Sequence, residues 1–101
     1  MRLVAIVDDL MDRSRVSGAL PDAEFVRDPA RCTGADVVVI DLVRHAGDVK
    51  AARAAAPHAR ILAFGPHVDE AAFAQARVDG ADAVVARSAF FRDPGAAVTD
   101  A

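Results

Sequence analysis

Four short apolar runs punctuate the chain, at residues 3–7, 37–42, 61–64 and 83–86, and a fifth, weaker one lies at 24–26. Polar residues scarcely interrupt them, which is how strands read when helices cover both faces of their sheet. Helix-like stretches separate the runs, so the pattern is β-α repeated and the expected sheet is mainly parallel, with right-handed crossovers. The first helix is expected from about Met11 to Ala19, with Gly18 and Pro21 marking its end. The second connection, 28–35, begins with Asp28 as N-cap and Pro29 at the first helical position, but it has room for only a turn or two. The third, 47–56, is rich in Ala and closes at Pro57. The fourth has Asp69 as N-cap, Phe73 and Ala76 on one face, and Gly80 where a left-handed C-cap belongs. After the last run, Ser88 to Phe91 can begin a helix that Pro94-Gly95 would break. The expectation is one three-layer α/β domain over 1–92, built on a five-stranded parallel sheet of order 2-1-3-4-5 with shortened second and fifth helices. Residues 93–101 are expected to form a loose or briefly helical tail.

Composition narrows the function classes. A chain of 101 residues, 53% hydrophobic, can bury one core. Its 12 basic and 15 acidic residues give a net charge of −3 with no run of like charges, so there is no electrostatic footprint for nucleic acid or anionic lipid. The expectation is a soluble protein partner or none. Cys32 is the sole cysteine, which excludes an internal disulfide and a Cys-based zinc site and suits a reducing compartment, so a cytoplasmic location is expected. The first apolar run is too short to span a membrane and leads straight into Asp8 and Asp9, with no small-residue cleavage site. No attached output domain is expected, so any effect is expected in trans.

The candidate chemistry is acidic. Asp8 and Asp9 end the first run, and Asp41 falls inside the end of the second of the four strong runs. With strand order 2-1-3-4-5, the first and third strands are neighbours, and their carboxyl ends open on the topological switch point where ligands bind. Three carboxylates converging there repel one another, so at least one pKa should rise unless a cation neutralises them. Magnesium suits such a site, taking one or two carboxylates and keeping other positions for water or phosphate oxygens. Against this stands the common use of Asp as a helix cap, a role that Asp9 or Asp12 alone would equally fit.

Several segments together resemble a response-regulator receiver domain, over about residues 2–88. They are Ile6-Val7-Asp8-Asp9, Val37-Val38-Val39-Ile40-Asp41-Leu42, Arg60-Ile61-Leu62-Ala63-Phe64 and Gly80-Ala81-Asp82-Ala83-Val84-Val85. The resemblance implies a flavodoxin-like fold in which Asp41 accepts a phosphoryl group from a histidine kinase and magnesium is held by Asp8, Asp9 and Asp41. The chain departs from that family at its switch positions. Gly65 stands where the family has Thr or Ser, Arg87 where it has Lys, and Val84 where it has an aromatic ring that changes rotamer. Gly65 has no hydroxyl to offer, and Arg87 keeps the charge without the compact ammonium geometry, so a permanent ion pair with Asp41 is expected. Phe90 and Phe91 are expected either to pack on their own sheet or to help form a partner interface.

Other residues add little. His67 follows Gly65-Pro66 beside the proposed pocket and is a candidate ligand contact, while His45 and His58 make no metal motif. Cys32 is expected to be a half-buried, inert thiol. Two functions follow: a non-enzymatic pseudo-receiver acting by protein binding, and a working phosphoacceptor that uses Asp41 and magnesium. A homodimer through the strand-five side is compatible with either. A nucleotide or flavin binder lacks a Gly-rich loop after the first strand, and a hydrolase lacks any Ser-His or Cys-His spacing.

Overall fold

The computed structural model describes residues 1–99. Five parallel strands form one sheet of order β2-β1-β3-β4-β5, as the β-α alternation requires. They are β1 (Leu3–Ile6), β2 (Glu24–Phe25), β3 (Val37–Asp41), β4 (Arg60–Gly65) and β5 (Ala83–Ala86). β1 and β3 are buried at every position, which explains why their sequences are continuous apolar runs and not alternating ones. Their register pairs Leu3 with Val37 and Ile6 with Ile40, bringing residues 7–9 beside the end of β3.

Side-chain alternation divides the interior into two cores. Val4, Ile6, Val38, Ile40, Ile61 and Ala63 face one side, and Ala5, Val7, Val37, Val39, Leu62 and Phe64 the other. The first side is covered by a 3-10 turn at Pro29–Cys32, by α3 (Val49–Ala55) and by α4 (Glu70–Val78), through Cys32, Val49, Ala52 and Ala76. The second is covered by α1 (Leu10–Ala19), α5 (Arg87–Arg92) and α6 (Pro94–Thr99), through Val16, Phe90 and Val98. Between β3 and α3 lie α2 (Leu42–His45) and a 3-10 turn, Ala46–Asp48.

The local signals act as their chemistry predicts. Asp28 accepts from the Ala30 N–H and the second connection is a single 3-10 turn. Asp69 caps α4 by accepting from the Ala72 N–H, and Gly80 follows α4 at φ +119°. A side chain at Gly80 would also collide with Arg53, which donates to the carbonyls of Gly80, Ala56, Pro57 and Ala59 and pairs with Asp82 at 2.6 Å. Asp82 in turn accepts from the Ile61 N–H at 2.8 Å, so Gly80-Ala81-Asp82 ties α3 to the start of β4.

One expectation is made definite and one needs correction. Of the two forms expected of the tail, loose or briefly helical, residues 94–99 take the helical one: Pro94-Gly95 ends α5 and begins α6, because proline lacks only an N–H that a first helical turn leaves unbonded anyway. Asp93 accepts from the Ala96 N–H at 3.1 Å, and Val98 is buried against the same core as Phe64. Asp100 and Ala101, the rest of that segment, lie outside the described residues. Cys32 is fully buried, not half-buried, and burial pushes its thiol pKa up, consistent with an inert group.

Candidate functional site

At the carboxyl ends of β1 and β3 the chain gathers carboxylates, and each has found a protein partner. Asp9 caps α1, accepting from the Asp12 N–H at 3.0 Å, and that bond lowers its pKa. Asp8 accepts from His45 Nε2 at 2.8 Å and lies 3.8 Å from Arg27 Nε. Asp41, the last residue of β3, is buried and caps α2 by accepting from the Val43 N–H at 3.0 Å. Burial pushes its carboxyl pKa up, opposed by the Val43 N–H, while nearby Asp12 raises it further. A carboxyl pKa rise was expected from crowding among Asp8, Asp9 and Asp41; the rise at Asp41 comes first from burial, with Asp12 the acid that adds to it.

Arg87 was expected to pair with Asp41, and it does not. Its two terminal nitrogens both donate to Asp12, Nη1 to Oδ2 at 2.7 Å and Nη2 to Oδ1, in the fork geometry that a guanidinium favours and an ammonium cannot match. Asp12 lies in the first turn of α1 and is almost fully buried. The guanidinium also lies 4.9 Å from the centre of the Phe91 ring, so it is held by charge on one side and by an aromatic face on the other. The Asp12 hydrogen bonds raise the Arg87 pKa further. Phe91 meets Phe90 edge-on, and Phe90 stacks on Phe64 with centroids 4.7 Å apart. Both rings therefore pack on their own domain, and the short fifth helix covers its side of the sheet with them.

Gly65 ends β4. A Cβ there would stand 3.3 Å from Leu42 Cβ and 3.5 Å from the Phe73 ring. Leu42 is buried and Phe73 packs against the same core, so apolar atoms crowd the place from which a hydroxyl would project. Val84 is buried in β5. His67 is exposed in the loop after β4 and joins no hydrogen bond among the described residues.

His45 gains a role that no spacing motif announced. Its ring lies between two carboxylates, with Nδ1 2.7 Å from Asp48 and Nε2 2.8 Å from Asp8. Burial disfavours its charge, but the bonds to Asp48 and Asp8 prevail and its pKa is raised. Asp12 was also hard to foresee: its only signal is its place one turn beyond the Asp8-Asp9 pair.

Magnesium needs carboxylate oxygens free to approach at about 2.0–2.1 Å. Here Asp8 is bonded to His45, Asp9 to backbone and Asp12 to Arg87, and among the described residues no three His, Cys, Asp or Glu side chains are gathered as a metal ion would need. In this arrangement the residues do not fit the ion. Among the described residues no helix is long and apolar enough to cross a membrane.

No family model and no curated protein sequence matches the chain. Solved structures do. A response regulator from Burkholderia pseudomallei, described with a phosphorylated aspartic acid, a calcium ion and citrate, superposes with a TM-score of 0.76 at 19% identity; the match covers 97% of this chain and 65% of that one, just under two thirds. A receiver domain from Clostridium thermocellum gives 0.77 at 15% identity, covering 96% and 90%. A response regulator from Hahella chejuensis gives 0.71 at 21% identity, covering 87% and 80%. Strand order, helix placement and these superpositions agree: the chain has the fold of response-regulator receiver domains.

Proposed function

We propose that the chain is a receiver-like signalling module that acts in the cytoplasm by binding other signalling proteins, with its acidic pocket held in one state and not switched by phosphorylation. It turns over no substrate. The observation that carries this reading is the two-pronged pair between Arg87 and Asp12. The charge that the resemblance assigns to the acceptor aspartate is bound elsewhere, and the opposite switch position, Gly65, is closed in by Leu42 and Phe73. Binding has a surface at the same end of the sheet. Leu10 and Met11 follow β1, Val43 follows β3 and Val68 follows β4, and all four are largely exposed in segments that leave the carboxyl ends of their strands. Exposed apolar side chains at one end of a domain suit a protein contact surface. A homodimer through β5, one of the two edge strands, is a second way for the module to associate.

A working phosphoacceptor is the second reading, with Asp41 as acceptor, Arg87 and Gly65 at the switch positions, a histidine kinase as donor, and magnesium at Asp8, Asp9 and Asp41. It is favoured by the phosphorylated aspartic acid described in the Burkholderia structure. Replacement of Asp41 separates the two. Under the first reading Asp41→Asn leaves the protein's activity in its host pathway at the wild-type level, whereas loss of that activity selects the phosphoacceptor.

A further inference from the structure

The geometry points to His45 as a built-in occupant of the acidic mouth: its ring takes the Asp8 carboxylate that a divalent ion would need, so such an ion binds only by displacing it. This deepens the locked-pocket reading and rests on it.

A neutral imidazole has one N–H and one lone pair, whereas an ionised carboxylate only accepts. His45 offers one nitrogen to Asp8 at 2.8 Å and the other to Asp48 at 2.7 Å. Both ring nitrogens are therefore engaged by carboxylate oxygens, and the ring is held in place from two sides. The arrangement is built by the fold. Asp41 caps α2 through the Val43 N–H, α2 ends on His45, and the 3-10 turn that follows brings Asp48 to the far side of the ring. The His45 side chain is 11% exposed, against 25% for Asp8 and 34% for Asp48, so the ring is the most enclosed member of the trio. Arg27 approaches the other oxygen of Asp8, but it is 82% exposed and 3.8 Å away. A divalent ion needs direct contact with oxygen, and the oxygen of Asp8 that bonds His45 already has a proton donor at hydrogen-bond distance. Ion and ring therefore compete for one carboxylate.

The test is a magnesium titration followed by amide NMR on the wild type, His45→Ala, His45→Ala with Asp8→Asn, and Asp48→Asn. His45→Ala is expected to bind magnesium about ten-fold or more tightly than the wild type, with shifts centred on residues 8–12 and 41–43. Adding Asp8→Asn removes that gain. Asp48→Asn, which keeps the ring but loosens it, gives a smaller gain in the same direction. Equal affinity in the wild type and His45→Ala overturns the proposal, as does a gain that survives Asp8→Asn. If His45→Ala fails to give a folded spectrum, wild-type affinity in Asp48→Asn overturns it instead. Phosphorylation of Asp41 in the wild type is a separate readout; it would refute the locked pocket without altering the comparison of magnesium affinities.

Discussion

Asp12 and Arg87, 75 residues apart, are joined by two parallel hydrogen bonds that tie the first turn of α1 to the first residue of α5. The acid is buried and the base is 39% exposed in its side chain. Buried charges need partners more than exposed ones, so the pair matters chiefly because Asp12 has left water.

Removing that partner has a measurable cost. Arg87→Ala leaves Asp12 buried without its counter-ion and is expected to destabilise the fold by about 1–3 kcal/mol, read from urea unfolding. Asp12→Asn with Arg87→Ala should recover part of the loss, because it removes the stranded charge. A double variant less stable than Arg87→Ala alone would contradict this account of the pair.

Restoring a side chain at the end of β4 should also destabilise. Gly65→Thr places a Cβ 3.3 Å from Leu42 Cβ, and overpacking of this kind typically costs about 1–3 kcal/mol. Leu42→Ala opens the space, so the double variant should lose less stability than the sum of the single losses. Strict additivity in denaturant melts would show that the two positions do not share that space.

His45 predicts the pH dependence. Its pKa is raised above 6.5 in the folded protein. The folded state therefore holds the proton more tightly than the unfolded chain, and this stabilisation is complete below 6.5 and lost as pH rises through the folded value. Unfolding free energy measured from pH 6 to pH 9 should fall more in the wild type than in His45→Gln. Parallel curves for the two proteins would remove His45 from the account.

The last helix belongs to the core. Val98→Ala is expected to cost about 1–2 kcal/mol, since it uncovers apolar surface packed with Leu62 and Phe64. A thermal melt unchanged by this substitution would return residues 94–99 to the status of a tail.

Much of this fold is legible from local chemistry. Continuous apolar runs mark buried parallel strands, Asp28 and Asp69 start their helical segments, and Gly80 sits where only a residue without Cβ escapes both a positive φ and the Arg53 side chain. Pro94 reads two ways because one residue type both stops a helix and starts one; the cap at Asp93 decides for a start. The site is harder. Asp8, Asp9 and Asp41 are visible because strand ends converge, but their partners depend on side-chain reach across the fold. Nothing near Arg87 in the chain tells that its fork closes on Asp12, and nothing near His45 that its ring bridges Asp8 and Asp48.

The most direct test of the locked pocket is intact mass after incubation with magnesium and acetyl phosphate, with Asp41→Asn as control. The account predicts no added phosphoryl group on the wild type. A gain of one phosphoryl group that disappears in Asp41→Asn would contradict it, and would make Arg87 a working replacement for the lysine of switchable receivers.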